Sequence, residues 1–290
     1  MMQMMKRRIF LLLLVVLCTS VAYSQQQESA RLWINGSKGR LAAILQMPER
    51  ITGGKKTPIV ILMHGYGGNK EAQMLSILAD SLQAKGIGSI RFDFNSHGES
   101  EGATEEMTVP NEIEDARCVY NYLKAMPDIG KIALAGHSQG GVVASMLAGE
   151  LGSKAVAAVT LFAPAAVLRE DAIRGNTFGV PYNPLDPPPF VTIGNRNLGR
   201  NYILTAFSLP IYETAARYKG RVCLIHGTGD RIAPYSYSER YHSVWKKSEL
   251  HLLKGADHGF YPVMPEVIRI STAFFCKNIA IKPKSRFFLH

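Results

Sequence analysis

The segment around Ser138 is the strongest candidate for chemistry in this sequence. It reads Gly136-His137-Ser138-Gln139-Gly140 and lies between an apolar run typical of a buried strand and a stretch with helical periodicity. The flanking glycines allow the tight, strained turn that holds a serine hydroxyl at the end of a strand. The N-terminus of the following helix offers free N–H groups and a positive partial charge, which stabilise an oxyanion. Ser138 is therefore predicted to act as a nucleophile.

A serine hydroxyl is a poor nucleophile at neutral pH, so it needs a general base and an acid that orients this base. Asp230 and His258 each follow a short apolar run that predicts a strand. Since parallel strands end at the same edge of a sheet, both side chains are expected beside the serine. The order Ser138, Asp230, His258 predicts a catalytic triad. Asp257 adjoins the histidine and is the alternative acid.

An oxyanion formed at this serine needs backbone N–H donors. The loop His64–Gly68 follows a predicted strand, and its glycines allow the backbone to approach a substrate oxygen. We predict that the N–H groups of Tyr66 and Gln139 form the oxyanion hole. Three histidines near these segments are interpreted as structural hydrogen-bonding groups rather than as second bases: His64, His97 and His137.

Neither a metal nor a cofactor is expected. His, Cys and carboxylate residues show no metal-ligand spacing, and no G-x-G-x-x-G follows a predicted strand. Three cysteines follow the N-terminal segment, Cys118, Cys223 and Cys276, so at most one internal disulfide can form. Cys223 lies in an apolar strand pattern and the sequence has no C-x-x-C pair, which favours buried thiols over a redox site.

Short β-branched runs alternate with longer helix-like stretches along the chain, and this pattern predicts the strands and helices that position these residues. This alternation predicts an α/β fold with a mostly parallel central sheet flanked by helices. Strands are predicted at 31–35, 41–47, 59–63, 88–94, 131–135, 155–162, 222–226 and 249–253, and the first two read as an antiparallel hairpin. Helices are predicted at 71–85, 112–126, 139–151 and 266–278.

Residues 166–217 interrupt this alternation. They contain six of the chain's 15 prolines and six aromatic residues. A long irregular stretch inside an otherwise regular domain more often has a function than serves only as a connecting loop. We therefore predict that these residues form a lid inserted into the α/β domain.

The composition is that of a globular protein. The chain has 290 residues, of which 47% are hydrophobic and 19% charged, which excludes a disordered chain, a collagen and a coiled coil. The formal net charge is +10, but Lys and Arg form no block outside the two ends of the chain and no nucleic-acid-binding motif is present. We interpret the excess as a solvated basic surface and expect no nucleic-acid partner.

The first 24 residues have the pattern of a secretory signal peptide. The basic segment Lys6–Arg8 precedes ten apolar residues, and a small-residue site ends at Ser24. Ten helical residues are too short to cross a bilayer. We expect cleavage near Ser24, which leaves residues 25–290 as one domain in the periplasm or outside the cell.

Two alternatives remain open for this leader. Arg7-Arg8 looks like part of a twin-arginine signal, although the strongly apolar run beyond it suits the general secretory route. Cys18 as a lipidated cysteine would anchor the protein to a membrane. Lipoprotein signals usually carry Gly, Ala or Ser before that cysteine, whereas Leu17 stands here. Without lipidation at Cys18 we expect no stable membrane association.

Taken in order, these segments resemble those of the α/β-hydrolases, and the match covers nearly all of residues 31–278. More narrowly, the chain resembles the bacterial cinnamoyl (feruloyl) esterases of that superfamily. They share G-H-S-Q-G-G, here 136–141, an F-D-F-x-x-H-G-x-S stretch, here 92–100, and an inserted lid with L-P-I-Y-E, here 209–213. The resemblance implies an α/β-hydrolase fold and a serine esterase mechanism.

The resemblance also implies substrate-binding residues. Asp171 and Tyr202 match positions that hold the phenolic hydroxyl of the substrate in those relatives. Phe178 stands where close relatives can carry a polar residue that covers the bound phenol, and aromatic stacking could replace that contact. Bulkier or less polar acyl groups would then also fit.

The function implied is that of a secreted serine carboxylesterase releasing hydroxycinnamic acids, such as ferulate and p-coumarate, from plant polysaccharide esters. Its partner would be a small-molecule or polysaccharide-linked ester. One alternative is a serine hydrolase of short acyl esters or peptides. Another is a binding protein of the same fold that has lost catalysis, which would require a missing triad member, and none is missing. The oligomeric state stays open.

Overall fold

The computed structural model describes residues 29–48 and 56–281. The predicted signal peptide, with Cys18 and the cleavage site near Ser24, lies outside the described residues. The strands of this part of the chain are β1 (Ser29–Asn35), β2 (Arg40–Gln46), β3 (Thr57–Met63), β4 (Gly88–Phe92), β5 (Ile129–His137), β6 (Val156–Phe162), β7 (Asn176–Thr177), β8 (Val180–Pro181), β9 (Phe190–Ile193), β10 (Arg196–Gly199), β11 (Arg221–Gly227) and β12 (Ser248–Leu253).

Eight of these strands form one sheet, in the order β1-β2-β4-β3-β5-β6-β11-β12. The pairs β1–β2 and β2–β4 are antiparallel, and every other neighbouring pair is parallel. The predicted leading hairpin and the mostly parallel sheet are therefore confirmed. In this order β5, which leads to Ser138, lies near the centre of the sheet.

The helices flank this sheet. They are α1 (Gln73–Gln83), α2 (Val109–Ala125), α3 (Gln139–Leu151), α4 (Val167–Arg174), α5 (Arg200–Phe207), α6 (Ile211–Ala215), α7 (Ser236–Val244) and α8 (Met264–Asn278). Strand β3 is buried along its whole length, and its alternate side chains enter two separate apolar clusters. Because successive side chains of a strand point to opposite faces, each cluster fills the space between one face of the sheet and its helices.

Most helix boundaries differ from the sequence prediction by one to three residues, and one helix outside residues 166–217 was not predicted. Helix α2 begins at Val109 rather than at residue 112. The side chain of Thr108 caps it by accepting a hydrogen bond from the Asn111 N–H, and proline is well tolerated in the first turn. Helix α7 was not predicted, because its sequence is largely polar and only Ser238 and Tyr241 are buried.

Residues 166–217 lie between β6 and β11, which are neighbours in the sheet. This insertion contains the short helices α4, α5 and α6 and two antiparallel hairpins, β7–β8 and β9–β10. It is thus more regular than its sequence predicted. Phe178 at the turn of the first hairpin stacks on Tyr66 with ring centroids 5.1 Å apart. The insertion therefore reaches the loop in which the oxyanion hole is predicted.

Within residues 29–48 and 56–281, no helix combines the length and the apolar character that crossing a bilayer requires.

Candidate active site

Ser138 occupies a strained turn between β5 and α3. Its backbone angles are φ 56° and ψ −122°, a conformation that non-glycine residues rarely adopt. The chain crosses itself closely here, since a Cβ atom added to Gly136 would lie 2.1 Å from the carbonyl oxygen of Gly140. A Cβ atom added to Gly140 would lie 2.3 Å from the carbonyl oxygen of His64, so the turn requires both glycines, as the sequence predicted.

The structure brings the three predicted triad residues together. Nε2 of His258 lies 2.9 Å from Oγ of Ser138, and Nδ1 of His258 lies 2.6 Å from Oδ2 of Asp230. The alternative acid, Asp257, instead accepts a hydrogen bond from the backbone N–H of Tyr261. The ring of His258 is thus held between the serine and the acid that the sequence favoured.

Asp230 is surrounded by hydrogen-bond donors. Its Oδ1 accepts the N–H groups of Ile232 and Ala233 at 2.8 and 2.9 Å, and Nε2 of His226 lies 3.2 Å from its Oδ2. Burial by itself would raise the pKa of this carboxyl, but the hydrogen bonds from His226 and His258 outweigh it and hold the pKa well below its usual range. Asp230 therefore stays ionised and can stabilise a protonated His258.

Two further histidines support this arrangement. His137 donates from Nε2 to the backbone carbonyl of His258 at 2.9 Å, and burial lowers the pKa of His137 to about 4. His226 contacts the carbonyl of Ala233 and the hydroxyl of Ser238. A structural role was predicted for His137. The contact of His226 with Asp230 was not predicted, although these two residues lie in one short motif, 226–230.

The loop after β3 approaches Ser138 closely. A Cβ atom on Gly65 would lie 2.8 Å from Cβ of Ser138, so only glycine fits there. Neither the N–H of Tyr66 nor that of Gln139 donates a hydrogen bond to any residue that the structure describes. Both predicted oxyanion donors are therefore free to bind a substrate oxygen.

Two buried histidines hold this loop. Nε2 of His64 accepts the N–H of Phe94, and Nε2 of His97 accepts the N–H of Gly67, both at 3.2 Å. Burial lowers the pKa of His64 to about 4 and that of His97 to about 3. Both rings are therefore neutral, as acceptors must be, and their contacts fit the structural role predicted for them.

A cavity of about 350 Å³ opens beside Ser138 and His258. The described residues that line it include no Asp, Glu, Lys or Arg. Large side chains form much of its wall: Tyr66, Met74, Phe178, Ile232, Tyr261 and Met264. Phe178, Ile232 and Tyr261 are also at least half exposed, so the entrance is apolar. The cavity suits an uncharged, largely apolar group.

The three residues assigned to the substrate by resemblance are placed differently from one another. Phe178 lines the cavity, whereas Asp171 and Tyr202 are not part of its lining. Tyr202 is 2% exposed, and its hydroxyl donates to Oε1 of Gln139 at 2.7 Å. Asp171 is half-buried on α4, and burial raises its pKa although Arg174 opposes this. A contact of Asp171 or Tyr202 with substrate remains a prediction.

Comparison with known proteins decides the fold. The family model described as Serine aminopeptidase, S33 matches residues 54–181. The solved structure of Est1E from Butyrivibrio proteoclasticus with ferulic acid bound is similar with a TM-score of 0.81 and 26% identity, covering 86% of this chain and 100% of that one. The chain has the α/β-hydrolase fold. The predicted fold and the predicted resemblance to feruloyl esterases are therefore confirmed.

Two curated relatives match part of this chain. Human Protein ABHD12B is 26% identical over 189 residues, which are 64% of this chain and 49% of the relative. A multifunctional-autoprocessing repeats-in-toxin protein of Vibrio cholerae is 30% identical over 131 residues, which are 43% of this chain and 3% of the toxin. The chain thus spans about half the length of the first relative and a small part of the second.

One group of potential metal ligands in the described part of the chain was not predicted. Atoms of Cys223, Glu249 and His251 lie within 4.8 Å of one another, because Cys223 on β11 pairs with Glu249 on β12. Burial and the neighbouring Glu249 carboxylate raise the pKa of the Cys223 thiol, which therefore keeps its proton. All three cysteines in the described part of the chain are free. These observations fit the buried thiol expected at Cys223.

Proposed function

We propose that this protein of α/β-hydrolase fold is a secreted serine carboxylesterase that hydrolyses feruloyl and p-coumaroyl esters of plant polysaccharides. The hydrogen-bonded series Ser138, His258 and Asp230, which faces an uncharged cavity, carries this proposal. The similarity to Est1E with ferulic acid bound supports the choice of acyl group. Catalytic roles for the three residues are part of the proposal.

The first half of the reaction forms an acyl-enzyme. Oγ of Ser138 attacks the carbonyl carbon of the ester while its proton passes to Nε2 of His258. The N–H groups of Tyr66 and Gln139 bind the oxyanion of the tetrahedral intermediate. The protonated histidine then donates its proton to the alcohol oxygen, the C–O bond breaks, and the alcohol leaves.

The second half releases the acid. Water takes the place of the alcohol and gives a proton to Nε2 of His258 as its oxygen attacks the acyl carbon. Collapse of the second tetrahedral intermediate breaks the bond to Ser138 Oγ, which recovers its proton from His258. The ionised Asp230 stabilises the imidazolium in both halves. Atoms and protons balance without a metal or a cofactor.

The cavity supports an aromatic acyl group. Its volume of about 350 Å³ falls in the range of small-molecule sites, roughly 300 to 1,000 Å³. The rings of Tyr66 and Phe178 provide aromatic surface against which a planar cinnamoyl group could stack. An alcohol carrying a long polysaccharide requires an open entrance, which the exposed Phe178 and Tyr261 flank.

Hydrolysis of a substrate panel tests this proposal. The purified protein is offered methyl ferulate, methyl p-coumarate and methyl cinnamate beside p-nitrophenyl acyl esters of increasing length. We expect kcat/KM to be highest for the two hydroxycinnamates. A higher value for short p-nitrophenyl esters, with little action on hydroxycinnamates, would contradict the proposed substrate.

A serine hydrolase of short acyl esters or peptides is the second candidate. It is favoured by the match to a serine aminopeptidase family model and by the absence of Asp171 and Tyr202 from the cavity lining. Amino-acyl p-nitroanilides added to the same panel would reveal such an activity. Labelling by a fluorophosphonate probe distinguishes both enzymes from a binding protein that has lost catalysis, because only an activated Ser138 reacts.

Export is the remaining part of the proposal. We propose that the leader is removed near Ser24, so that the mature protein begins close to Gln25 and is secreted or periplasmic. Mass spectrometry of the protein isolated from its native host measures the N-terminus. A diacylglyceryl group on Cys18 would instead make the enzyme a membrane-anchored lipoprotein.

A further inference from the structure

The side chain of Gln139 is held between two buried residues from different parts of the fold. Its Nε2 donates to Oε2 of Glu112 at 2.8 Å, and its Oε1 accepts the hydroxyl of Tyr202 at 2.7 Å. All three residues are 2–3% exposed. Both ends of the carboxamide are thus occupied in a place without bulk water, where an unpaired polar group is destabilising.

These contacts join three elements at the residue that follows the nucleophile. Glu112 lies on α2, Gln139 begins α3, and Tyr202 lies on α5 of the insertion. The backbone N–H of Gln139 is one of the two free donors beside Ser138. Because both ends of its carboxamide are held, the side chain of Gln139 restricts movement of the backbone that carries the Gln139 N–H. This restriction matters because an oxyanion donor must point accurately at the developing charge.

We propose that Glu112 and Tyr202 are positioning residues that fix Gln139, so that the insertion helps to set the geometry of the oxyanion hole. This inference rests on the proposed serine hydrolase mechanism. It gives Tyr202 a different role from the one implied by resemblance. A residue that contacts the phenol would affect hydroxycinnamates alone, whereas a residue that orients an oxyanion donor affects every ester.

Glu112 is suited to this role as an uncharged acid. Burial raises its pKa to about 8, and the nearby Asp115 contributes to the rise. A glutamine at this position keeps an oxygen that accepts from Gln139, so Glu112→Gln preserves the contact, whereas Glu112→Ala removes it. The two variants separate positioning from a requirement for a carboxyl group.

Kinetics of Tyr202→Phe test the inference. The measurements are kcat and KM for p-nitrophenyl acetate, methyl cinnamate and methyl p-coumarate, with the thermal unfolding midpoint. Tyr218→Phe is the matched control, since it removes another buried tyrosine hydroxyl that donates to the carbonyl of Val156. We expect Tyr202→Phe to lower kcat about tenfold on all three esters with little change in KM, a partial loss of oxyanion stabilisation.

Variants of Glu112 and Gln139 show whether Tyr202 acts on kcat through the Gln139 side chain. Glu112→Ala should lower kcat at least as much as Tyr202→Phe does. Glu112→Gln should keep kcat near the value of the unmodified protein. In a Gln139→Ala background, Tyr202→Phe should have no further effect, because the side chain through which it acts is gone. Tyr202→Phe with an unchanged kcat, or with a loss confined to p-hydroxylated esters, would overturn the inference.

The rate of Ser138 labelling by a fluorophosphonate separates this inference from the proposed substrate. Tyr202→Phe should slow labelling about tenfold relative to Tyr218→Phe, whatever ester the enzyme uses in nature. A protein that is labelled but does not hydrolyse hydroxycinnamates would refute the proposed function alone. Equal labelling rates in the two variants would refute the positioning role.

Discussion

Nε2 of His258 lies 2.9 Å from Oγ of Ser138, although 120 positions separate the two residues in the chain. Two parallel strands produce this contact, because β5 ends beside Ser138 and β12 ends just before the loop that carries His258. At this distance the imidazole can take the hydroxyl proton directly. The contact makes Ser138 and its two partners the first target for mutation.

Ser138→Ala is expected to reduce kcat by roughly 10⁴- to 10⁶-fold without unfolding the protein, because it removes the nucleophile and leaves the turn intact. Esterase assays and circular dichroism check both parts. Ser145→Ala is a matched control on the same helix, since that buried hydroxyl bonds with Tyr241 away from the triad. Substantial hydrolysis by folded Ser138→Ala would end the serine mechanism.

Asp230→Asn is expected to fold and to lose about 10⁴-fold in kcat, because the carboxylate orients His258 and stabilises its protonated form. Asp257→Asn serves as its control, since that side chain accepts a hydrogen bond from the N–H of Tyr261 and not from His258. Steady-state kinetics of both variants decide between the two acids. A larger loss in Asp257→Asn would show that the acid has been assigned wrongly.

Glu112→Gln is expected to change how stability depends on pH. The pKa of Glu112 is about 8 in the folded protein and 4.5 by its ordinary value, so the folded state binds an extra proton between these pH values. Stability therefore falls with rising pH there, by about 1.4 kcal/mol per pH unit, and this contribution is constant below and above the window. The substitution removes that slope.

Urea unfolding between pH 5 and pH 8 measures this difference. The free energy of unfolding of the variant should rise relative to that of the unmodified protein as the pH rises. Asp115 is present in both proteins, so its contribution to the pH dependence cancels in this difference. Parallel stability curves for Glu112→Gln and the unmodified protein would contradict a raised pKa at Glu112.

Asp171→Ala tests the substrate contact implied by resemblance. If the carboxyl binds the para-hydroxyl of the acyl group, the preference for methyl p-coumarate over methyl cinnamate should shrink by roughly tenfold, while hydrolysis of p-nitrophenyl acetate is spared. Glu170→Ala, one residue earlier on α4, is the control. An equal loss on all three esters would assign Asp171 to the support of the fold.

Much of the site could be predicted from the sequence because its information is local. The glycines around Ser138 encode a strand, a tight turn and a helix within a few residues, and this signal depends on no distant contact. Asp230 and His258 were found in the same way, each from the apolar run that precedes it. The alternation of such runs also determined the parallel sheet, since burial on both faces requires continuous apolar strands.

The residues that hold Gln139 became visible only in the tertiary structure. Glu112 and Tyr202 lie 27 and 63 positions from Gln139, and no local pattern links them to it. The resemblance assigned Tyr202 to a substrate hydroxyl, whereas packing of the insertion places its hydroxyl on Gln139. Burial raises the energetic cost of an unpaired polar group, so these partners are fixed by how helices pack and not by spacing along the chain.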